Sequence, residues 1–426
     1  MTNTIKLNHI CKIEGHASLT LGIEGKKVTT CQLHAIEGSR YFEGLLLGRQ
    51  FVEAHEISSR ICGICSCGHN IAAIQAQERA LGIQPTEQTK LLREILTLGE
   101  RIRSHATHLY FLALPDYLGY ESAIAMTAKF KNEVAAALKL VKLGNDMVRI
   151  VGGRVMHQIS CTVGGMLKIP SKADMLELRK QTMDCFPDAE ATLKLFFGLQ
   201  YPDFKNESEY FCLQEDNNYA MHSGRIVSKS HTFEQEKYHD FIKEYQEDYA
   251  TSNFAVKADK PYMVGSLARV NNNFNLLTER AKKMVADSPY TFPSFNPFHN
   301  NLAQAIELVD ALDRTINVIK KLDLKEEKVI QPDFKQEMHG ISAVEVPRGT
   351  LWHEYKCNEK GEITFANIVT PTCQNLRNME KDIRAYVEQV VDLPREKLVL
   401  EVEKLIRAYD PCFSCSTHFL KVKWVK

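Results

Sequence analysis

The chain has 426 residues, of which 44% are hydrophobic and 25% are charged. These fractions are typical of a globular protein with a large buried core. Its 53 basic and 53 acidic residues balance, so the charge indicates neither a nucleic-acid partner nor an anionic membrane surface. The first residues lack the apolar core of a signal peptide, and no apolar run approaches the ~20 residues that cross a bilayer.

The first part of the chain shows the patterns of one β-hairpin and three helices. Alternation of apolar and polar residues predicts the hairpin, and helical periodicity predicts the helices. Thr86 is a suitable N-cap for the second helix. The predicted elements are the strands Ala17–Ile23 and Val28–Ala35 and the helices 70–81, 85–113 and 123–150.

Residues 172–335 contain fewer motifs than the rest of the chain, whereas the residues after 335 show clearer patterns of strands and helices. The pattern predicts a helix over 301–322, a second hairpin, and two helices, the last with a proline at its first turn. The elements after residue 335 are the hairpin Gly340–Tyr355 with Glu362–Val369 and the helices 375–391 and 394–409.

These elements predict a mainly α fold with small β-ribbons, in the α+β class. The chain shows no internal repeat and no low-complexity linker. We therefore expect one unit over residues 1–426, built from regions 1–84, 85–170, 171–335 and 336–426.

Two CxxC pairs near opposite ends of the chain are its most informative feature. Cys62 and Cys65 lie in the sequence Arg-Ile-Cys-Gly-Ile-Cys, and Cys412 and Cys415 lie in Asp-Pro-Cys-Phe-Ser-Cys-Ser-Thr-His. Because the other cysteines are scattered, a dense disulfide framework is not expected. Four thiolates around one centre suit zinc, nickel or iron–sulfur chemistry, and the spacing alone does not choose among them.

The residues around the cysteines resemble the two signatures of nickel–iron hydrogenase large subunits. Further segments resemble the family in the same order, so that the resemblance extends from about Ile13 to His418 and is weakest between Lys172 and Lys335. These segments are Lys12–His16, Arg40–Glu43, Gly152–Arg154 with His157, Gly164 with Gly165, and Glu345–Leu351.

The resemblance implies a large helical bundle that cleaves H₂ heterolytically and reversibly. It implies that Cys62 and Cys412 are terminal nickel ligands and that Cys65 and Cys415 bridge nickel to iron. The iron would carry one carbon monoxide and two cyanide ligands.

Further roles are also implied by the resemblance. Glu14 would relay protons, for which a buried carboxylic acid with a raised pKa is suited. Arg348, beside Pro347, would overhang the metals as a fixed cation. Asp410 would hold the guanidinium in place.

A magnesium site and a processed C-terminus are implied as well. Glu43 and His418 would help to bind Mg²⁺, although magnesium prefers oxygen ligands. Residues 419–426 would be removed by a maturation protease after nickel-insertion proteins have acted.

The resemblance implies an iron–sulfur small subunit as partner, with further electron-transfer subunits, because the chain offers no redox centre besides its active site. We expect a cytoplasmic protein, with membrane association only through partner subunits. Within the family, the segment Ser414–His418 resembles the soluble, cytosolic, cofactor-coupled hydrogenases more than the membrane-bound uptake enzymes.

Two other functions compete with this interpretation. One is a structural Cys₄ zinc site in an interaction protein. The other is a metal-free scaffold related to the quinone-module subunit of respiratory complex I, which retention of the four cysteines argues against. The chain also departs from many relatives at Gln158, where they have proline, and at Ser104, where membrane-bound relatives have aspartate.

Overall fold

The computed structural model describes residues 2–36, 41–219 and 221–417. Within these ranges the chain forms 15 α-helices and 15 short strands. This confirms the prediction of a mainly α fold with small β-ribbons. One continuous cluster of buried apolar side chains extends from Ile5 to Phe413.

The chain begins with a three-stranded antiparallel sheet in the order β1-β2-β3. The predicted hairpin is confirmed, and Gly25 at its turn has a positive φ of 61°, which a glycine adopts without strain. The strands are β1 (Thr2–Leu7), β2 (Ala17–Glu24) and β3 (Lys27–Ala35).

Seven helices follow the first sheet. The long helix α4 begins as predicted, because the Thr86 hydroxyl accepts from the N–H of Thr89 over 3.1 Å. It continues as a π-helical segment over His108–Ala113. The helices are α1 (Phe42–Leu46), α2 (Ala54–Ser58), α3 (Ser66–Leu81), α4 (Glu87–Thr107), α5 (Leu114–Leu118), α6 (Ala123–Met126) and α7 (Lys131–Gly152).

The prediction of one continuous helix over 123–150 is wrong at its beginning. The chain forms the short α6 and then α7, with a break at residues 127–130. The Phe130 side chain packs edge-on against Tyr120 at the break, with ring centroids 5.9 Å apart. The apolar periodicity of a segment does not reveal a contact with a residue earlier in the chain, so it did not predict this break.

The middle of the chain combines helices with small β-pairs. The predicted helix over 301–322 is confirmed as α12, which packs against α4 and α9. The helices are α8 (Lys172–Asp184), α9 (Phe186–Phe197), α10 (Ser266–Asn273), α11 (Glu279–Ala286) and α12 (Asn300–Lys321). The strands are β4 (Cys161–Thr162), β5 (Gly165–Met166), β6 (Glu209–Tyr210), β7 (Cys212–Gln214), β8 (Arg225–Val227), β9 (Thr232–Phe233), β10 (Ile242–Gln246), β11 (Asn253–Lys257) and β12 (Tyr262–Met263).

The second predicted hairpin is a three-stranded antiparallel sheet instead. The stretch Gly340–Tyr355, which was predicted as one strand, turns back on itself at Pro347 and Arg348. Gly349, just after this turn, has a φ of 136°, a backbone conformation that favours glycine. β13 and β14 are buried on both faces, so their sequences do not alternate between apolar and polar residues. The boundary between the two strands is therefore not visible in the sequence. The elements are β13 (Met338–Val346), β14 (Gly349–Cys357), β15 (Ile363–Val369), α13 (Pro371–Val390), α14 (Arg395–Ala408) and α15 (Phe413–Ser416).

The packing of these elements places α3 at the centre of the fold. It lies against β13 and β14 on one side and against α4 on the other. Among the described residues, no helix combines the length and apolar character that crossing a bilayer requires.

Close packing of α4 on α7 depends on two glycines. A Cβ added at Gly144 would lie 2.5 Å from the carbonyl oxygen of Gly99, so the helices would have to separate. We expect Gly144→Ala to lower the free energy of unfolding by about 1–3 kcal/mol, as overpacking does, in denaturant titrations. Gly198→Ala is the control, since its nearest neighbour would be 3.4 Å away. Equal stability of the two variants would contradict this account of the helix contact.

Candidate metal centre

The two cysteine pairs meet where the N-terminal and C-terminal parts of the chain touch. The backbone of Glu14 pairs with that of Cys412 in a short parallel bridge. Cys62 and Cys65 lie in the turn that leads into α3, while Cys412 and Cys415 lie at the start of α15. Residues 350 positions apart are thereby brought into contact.

The four sulfur atoms face one another in the interior. The Sγ–Sγ distance is 3.6 Å both between Cys62 and Cys412 and between Cys65 and Cys415. It is 3.2 Å within the first pair and 2.8 Å within the second. All four side chains are buried, and no disulfide joins them. They are the one group of potential metal ligands of this kind in the part of the chain that the structure describes.

Burial prevents four neighbouring thiols from ionising together. It raises the pKa of Cys412 and of Cys415 well above the usual range of a thiol. Hydrogen bonds from the other thiols, that of Cys412 first, lower the pKa of Cys62. Four thiolates at these distances therefore require a bound cation, because like charges in a buried site oppose one another.

The donor set fits a soft metal, because thiolates favour zinc, nickel and iron over magnesium or calcium. A metal about 2.3 Å from each of four sulfurs would separate them by roughly 3.8 Å. The observed distances are close to this value across the pairs, at 3.6 Å, and shorter within them, at 3.2 and 2.8 Å. The distances leave zinc and nickel–iron open. The residues around the sulfurs are therefore needed to choose between them.

A fixed cation lies beside the sulfurs. Arg348 places Nη1 3.8 Å from Sγ of Cys65, and its Nε donates to the Asp410 carbonyl over 2.8 Å. Its Nη2 lies 2.9 Å from the Asp410 carboxylate, which also accepts from the Gln304 amide over 2.9 Å. Although burial alone would lower it, the Asp410 charge raises the pKa of Arg348 well above its usual range. Arg348 is therefore a permanent, oriented positive charge.

Glu14 connects the sulfurs with the surface. The thiol of Cys412 donates to its Oε2 over 2.9 Å, and the N–H of Ser414 donates to the same oxygen over 3.2 Å. Glu14 is half-buried, so the expectation of a buried carboxylic acid is wrong. Its position between a buried sulfur and the outside is nevertheless that of a proton carrier.

A small pocket opens between the sulfurs and Arg348. Its volume of about 10 Å³ for the centre of a water-sized molecule accommodates about one such molecule. The side chains that line it are Cys65, His69, Val346, Arg348, Leu351, Pro371, Thr372, Cys412 and Cys415. A metal held by the sulfurs would occupy part of this space, so the feature that a closed Cys₄ zinc site does not need is the fixed cation of Arg348 at its wall.

Pro371 and Thr372 are lining residues that the sequence analysis missed. The Thr372 hydroxyl accepts from the N–H of Cys412 over 2.9 Å. Their one sequence signal is a proline that opens α13. Pro347, which the resemblance placed near the metals, lies in the turn before Arg348, and its carbonyl accepts from Arg269 over 2.9 Å.

The predicted magnesium ligands are only partly described. Glu43 lies in α1, is half-buried, and accepts from the N–H of Ile368 over 2.9 Å. His418 and residues 419–426 lie outside the described residues.

The remaining histidines and cysteines near the site have structural partners. Nε2 of His105 lies 2.8 Å from the Glu307 carboxylate, and His108 bonds Gln304. Nδ1 of His69 lies 3.0 Å from Nε2 of His353 in the interior. Cys67 lies in the apolar core beside the quartet, where burial raises its pKa well above the usual range.

The chain matches the family model described as nickel-dependent hydrogenase, over residues 40–144 and 296–418. It is 36% identical over 424 residues to sulfhydrogenase 1 subunit alpha of Pyrococcus furiosus, covering 98% of each chain. It is 27% identical to the NAD-reducing hydrogenase HoxS subunit beta of Cupriavidus necator, covering 99% of this chain and 96% of that one.

A solved structure has the same fold. The crystal structure of an NAD⁺-reducing [NiFe]-hydrogenase in its H₂-reduced state matches with a TM-score of 0.89 and 23% identity, covering 98% of this chain and 99% of that one. The family match, the full-length relative and the buried four-cysteine site agree. The chain belongs to the nickel-dependent hydrogenases and has the fold of their catalytic large subunit.

Proposed function

We propose that this chain is the catalytic subunit of a nickel–iron hydrogenase that interconverts H₂ with protons and electrons. The observation that carries the proposal is the oriented guanidinium of Arg348, whose Nη1 lies 3.8 Å from the sulfur of Cys65 in the buried cysteine quartet. A closed zinc site needs no oriented cation above the sulfurs. The metal-free scaffold related to complex I has no use for four convergent thiols.

Cys62, Cys65, Cys412 and Cys415 would hold the nickel–iron centre, with Cys65 and Cys415 as the bridging ligands. This division rests on the family resemblance, because the pocket is lined by Cys412 as well as by Cys65 and Cys415. When bound, such a centre polarises H₂ so that it divides heterolytically, and its iron carries carbon monoxide and cyanide. Pro371 and Thr372 also line the pocket, which is small.

Arg348 orients small ligands above the sulfurs and favours the separation of charge in H₂. Its guanidinium is held by the carbonyl and carboxylate of Asp410 and so presents Nη1 towards Cys65. Gln304 donates to the other oxygen of that carboxylate and keeps it from turning. A preorganised charge in a buried pocket acts without reorganisation at the moment of reaction.

Glu14 takes the proton that Cys412 gives up and passes it outwards. The contact of 2.9 Å between sulfur and carboxylate permits direct transfer. The N–H of Ser414, which donates to the same oxygen, stabilises the carboxylate when it is charged.

We also propose a magnesium ion bound by Glu43 and His418. The half-buried carboxylate of Glu43 at the end of β15 supports it. Metal analysis of the intact complex, with about one magnesium per chain, tests this assignment, and a magnesium-free active complex would reject it.

The electrons require a partner, and we propose an iron–sulfur small subunit with further electron-transfer subunits. The Pyrococcus furiosus relative is named as an alpha subunit and the Cupriavidus necator relative as a beta subunit of an NAD-reducing hydrogenase. The subunit names support a multi-subunit complex, and the second name supports reduction of NAD or a related carrier. The cytoplasmic location that we propose rests on the sequence alone. We also propose one structural unit over the whole chain, supported by its continuous core.

Arg348→Lys tests the oriented cation. Lysine keeps a charge but cannot form the paired contacts to Asp410, so we expect H₂ oxidation to fall by about 10²–10³-fold with nickel and iron retained. The control is Arg280→Lys, on the surface. Dye reduction under H₂, compared with metal content, measures the effect. Native turnover in Arg348→Lys would contradict the assignment.

Glu14→Gln tests the proton relay. The amide keeps the shape of the side chain but cannot accept and release the proton, so turnover should fall by about 10²–10⁴-fold. The infrared carbonyl and cyanide bands should stay, because no metal ligand changes. Glu359→Gln, at an exposed turn, is the control. If Glu14→Gln retained native H₂ oxidation and proton reduction, Glu14 would not be the relay.

Removal of residues 419–426 is tested by intact-mass analysis of active enzyme. We expect a chain that ends at His418, because processing would follow nickel insertion. A chain lacking nickel from the same cells should keep Lys426. Active enzyme with the full mass would exclude processing.

A further inference from the structure

Two ionisable side chains on one face of α4 form hydrogen bonds with the backbone of the turn that carries the first cysteine pair. Glu100 and Arg103 lie one helical turn apart, and their side chains point to the same side. Both are buried, Glu100 completely and Arg103 to 6% exposure. Nη2 of Arg103 lies 3.8 Å from the carboxylate of Glu100. The sequence analysis singled out neither residue.

Glu100 provides the cap that α3 lacks. The N-cap residue of α3 is Cys65, which has no capping side-chain bond, so the first N–H groups of the helix need another acceptor. The Glu100 carboxylate accepts from the N–H of Cys67 over 2.7 Å and from that of Gly68 over 3.2 Å. When it is ionised, the carboxylate also interacts favourably with the helix dipole at this end.

Arg103 holds the same turn from its other side. Its Nη2 donates to the carbonyl of Ile64 over 3.0 Å, and its Nη1 donates to the carbonyl of Val155. It therefore ties the CxxC turn to the loop after α7. Gln158 in that loop donates to the carbonyl of Ser66 over 3.1 Å. Gln158 stands where many relatives have proline, and its side chain thus adds a hydrogen bond to the turn.

We propose that Glu100 and Arg103 are positioning residues that fix Cys62 and Cys65 against the second cysteine pair. Their contacts bracket Cys65, one on the carbonyl before it and one on the amides after it. Gln158 holds the start of α3 as well, but Glu100 and Arg103 contact the residues on both sides of Cys65. A metal site loses function when its ligands are loose by a fraction of an ångström. This inference rests on the proposed nickel–iron site.

Another buried Glu–Arg pair, which links α3 to α4 away from the cysteines, provides a control. Glu78 on α3 accepts from Arg93 on α4 over 2.7 and 2.8 Å, and also from the N–H of Gly164 over 2.9 Å. It resembles the Glu100 pair in burial and in its contact with a backbone amide. Its carboxylate pairs directly with the guanidinium, so its variant shows the effect of losing a buried ion pair without a contact to the cysteine turn. It lies near the other end of α3, away from the cysteines.

The experiment compares Glu100→Met, Glu78→Met and Glu100→Gln in the complete complex. Methionine keeps the length of the side chain without an acceptor, whereas glutamine keeps one oxygen for the two amides. Each variant is measured by hydrogen–deuterium exchange of residues 62–70, nickel release to a chelator, infrared bands and melting temperature. Arg103→Lys, which reaches only one of the two carbonyls, covers the case in which Glu100→Met does not accumulate.

We expect Glu100→Met to exchange faster over residues 62–70, to broaden the infrared bands, and to release nickel about 10–100-fold faster, as loss of a partner behind a metal ligand does. Arg103→Lys should change in the same direction. Glu78→Met should melt earlier with native bands, and Glu100→Gln should restore the native values.

Equal nickel release and equal band widths in Glu100→Met and Glu78→Met would overturn the proposal, because the pair would then act on stability alone. If Glu100→Met does not accumulate, native release and bands in Arg103→Lys would overturn it. Wild-type complex without nickel and without the bands would instead reject the nickel–iron site itself, so the two failures are distinguishable.

Discussion

The convergence of two cysteine pairs that are 350 residues apart in sequence is the constraint on which the rest of the structure depends. Each pair lies in a turn at the start of a helix, where backbone geometry directs both sulfurs to one side. The first turn is held by α3 and α4, and the second by its bridge to Glu14. A protein that must bring such distant turns within bonding distance of one centre needs a large, continuous core.

The charges around the quartet follow from its burial. Thiols at this depth resist ionisation, so the site depends on a bound cation and on Arg348 to balance thiolate charge. Arg348 in turn is stable in the interior because Asp410 neutralises it, and a buried charge without such a partner would be costly. The contact between Arg348 and Asp410 thus stabilises the buried charge and also orients the guanidinium towards the sulfurs.

The sequence predicted those parts of the fold that local patterns encode. The first hairpin, the Thr86 cap and the helix α12 depend on periodicity and capping, and all were found. The turn at Arg348 was missed as a strand boundary because both strands are buried and show no alternation.

The cysteines of the site were identifiable from their spacing, and Arg348 and Glu14 only from a resemblance. Pro371, Thr372 and the pair Glu100–Arg103 were not identifiable, since their importance arises from contacts between segments far apart in sequence. The half-buried state of Glu14 likewise depends on how the chain termini meet.

The central claim is that the four cysteines hold nickel and iron rather than zinc. Metal analysis of complex purified from its native host, together with infrared spectra in the carbonyl and cyanide region, tests it most directly. The account predicts about one nickel and about one iron per chain in this site, with both sets of bands, once the iron of partner clusters has been counted separately. Zinc without those bands, in protein matured in its own host, would contradict it.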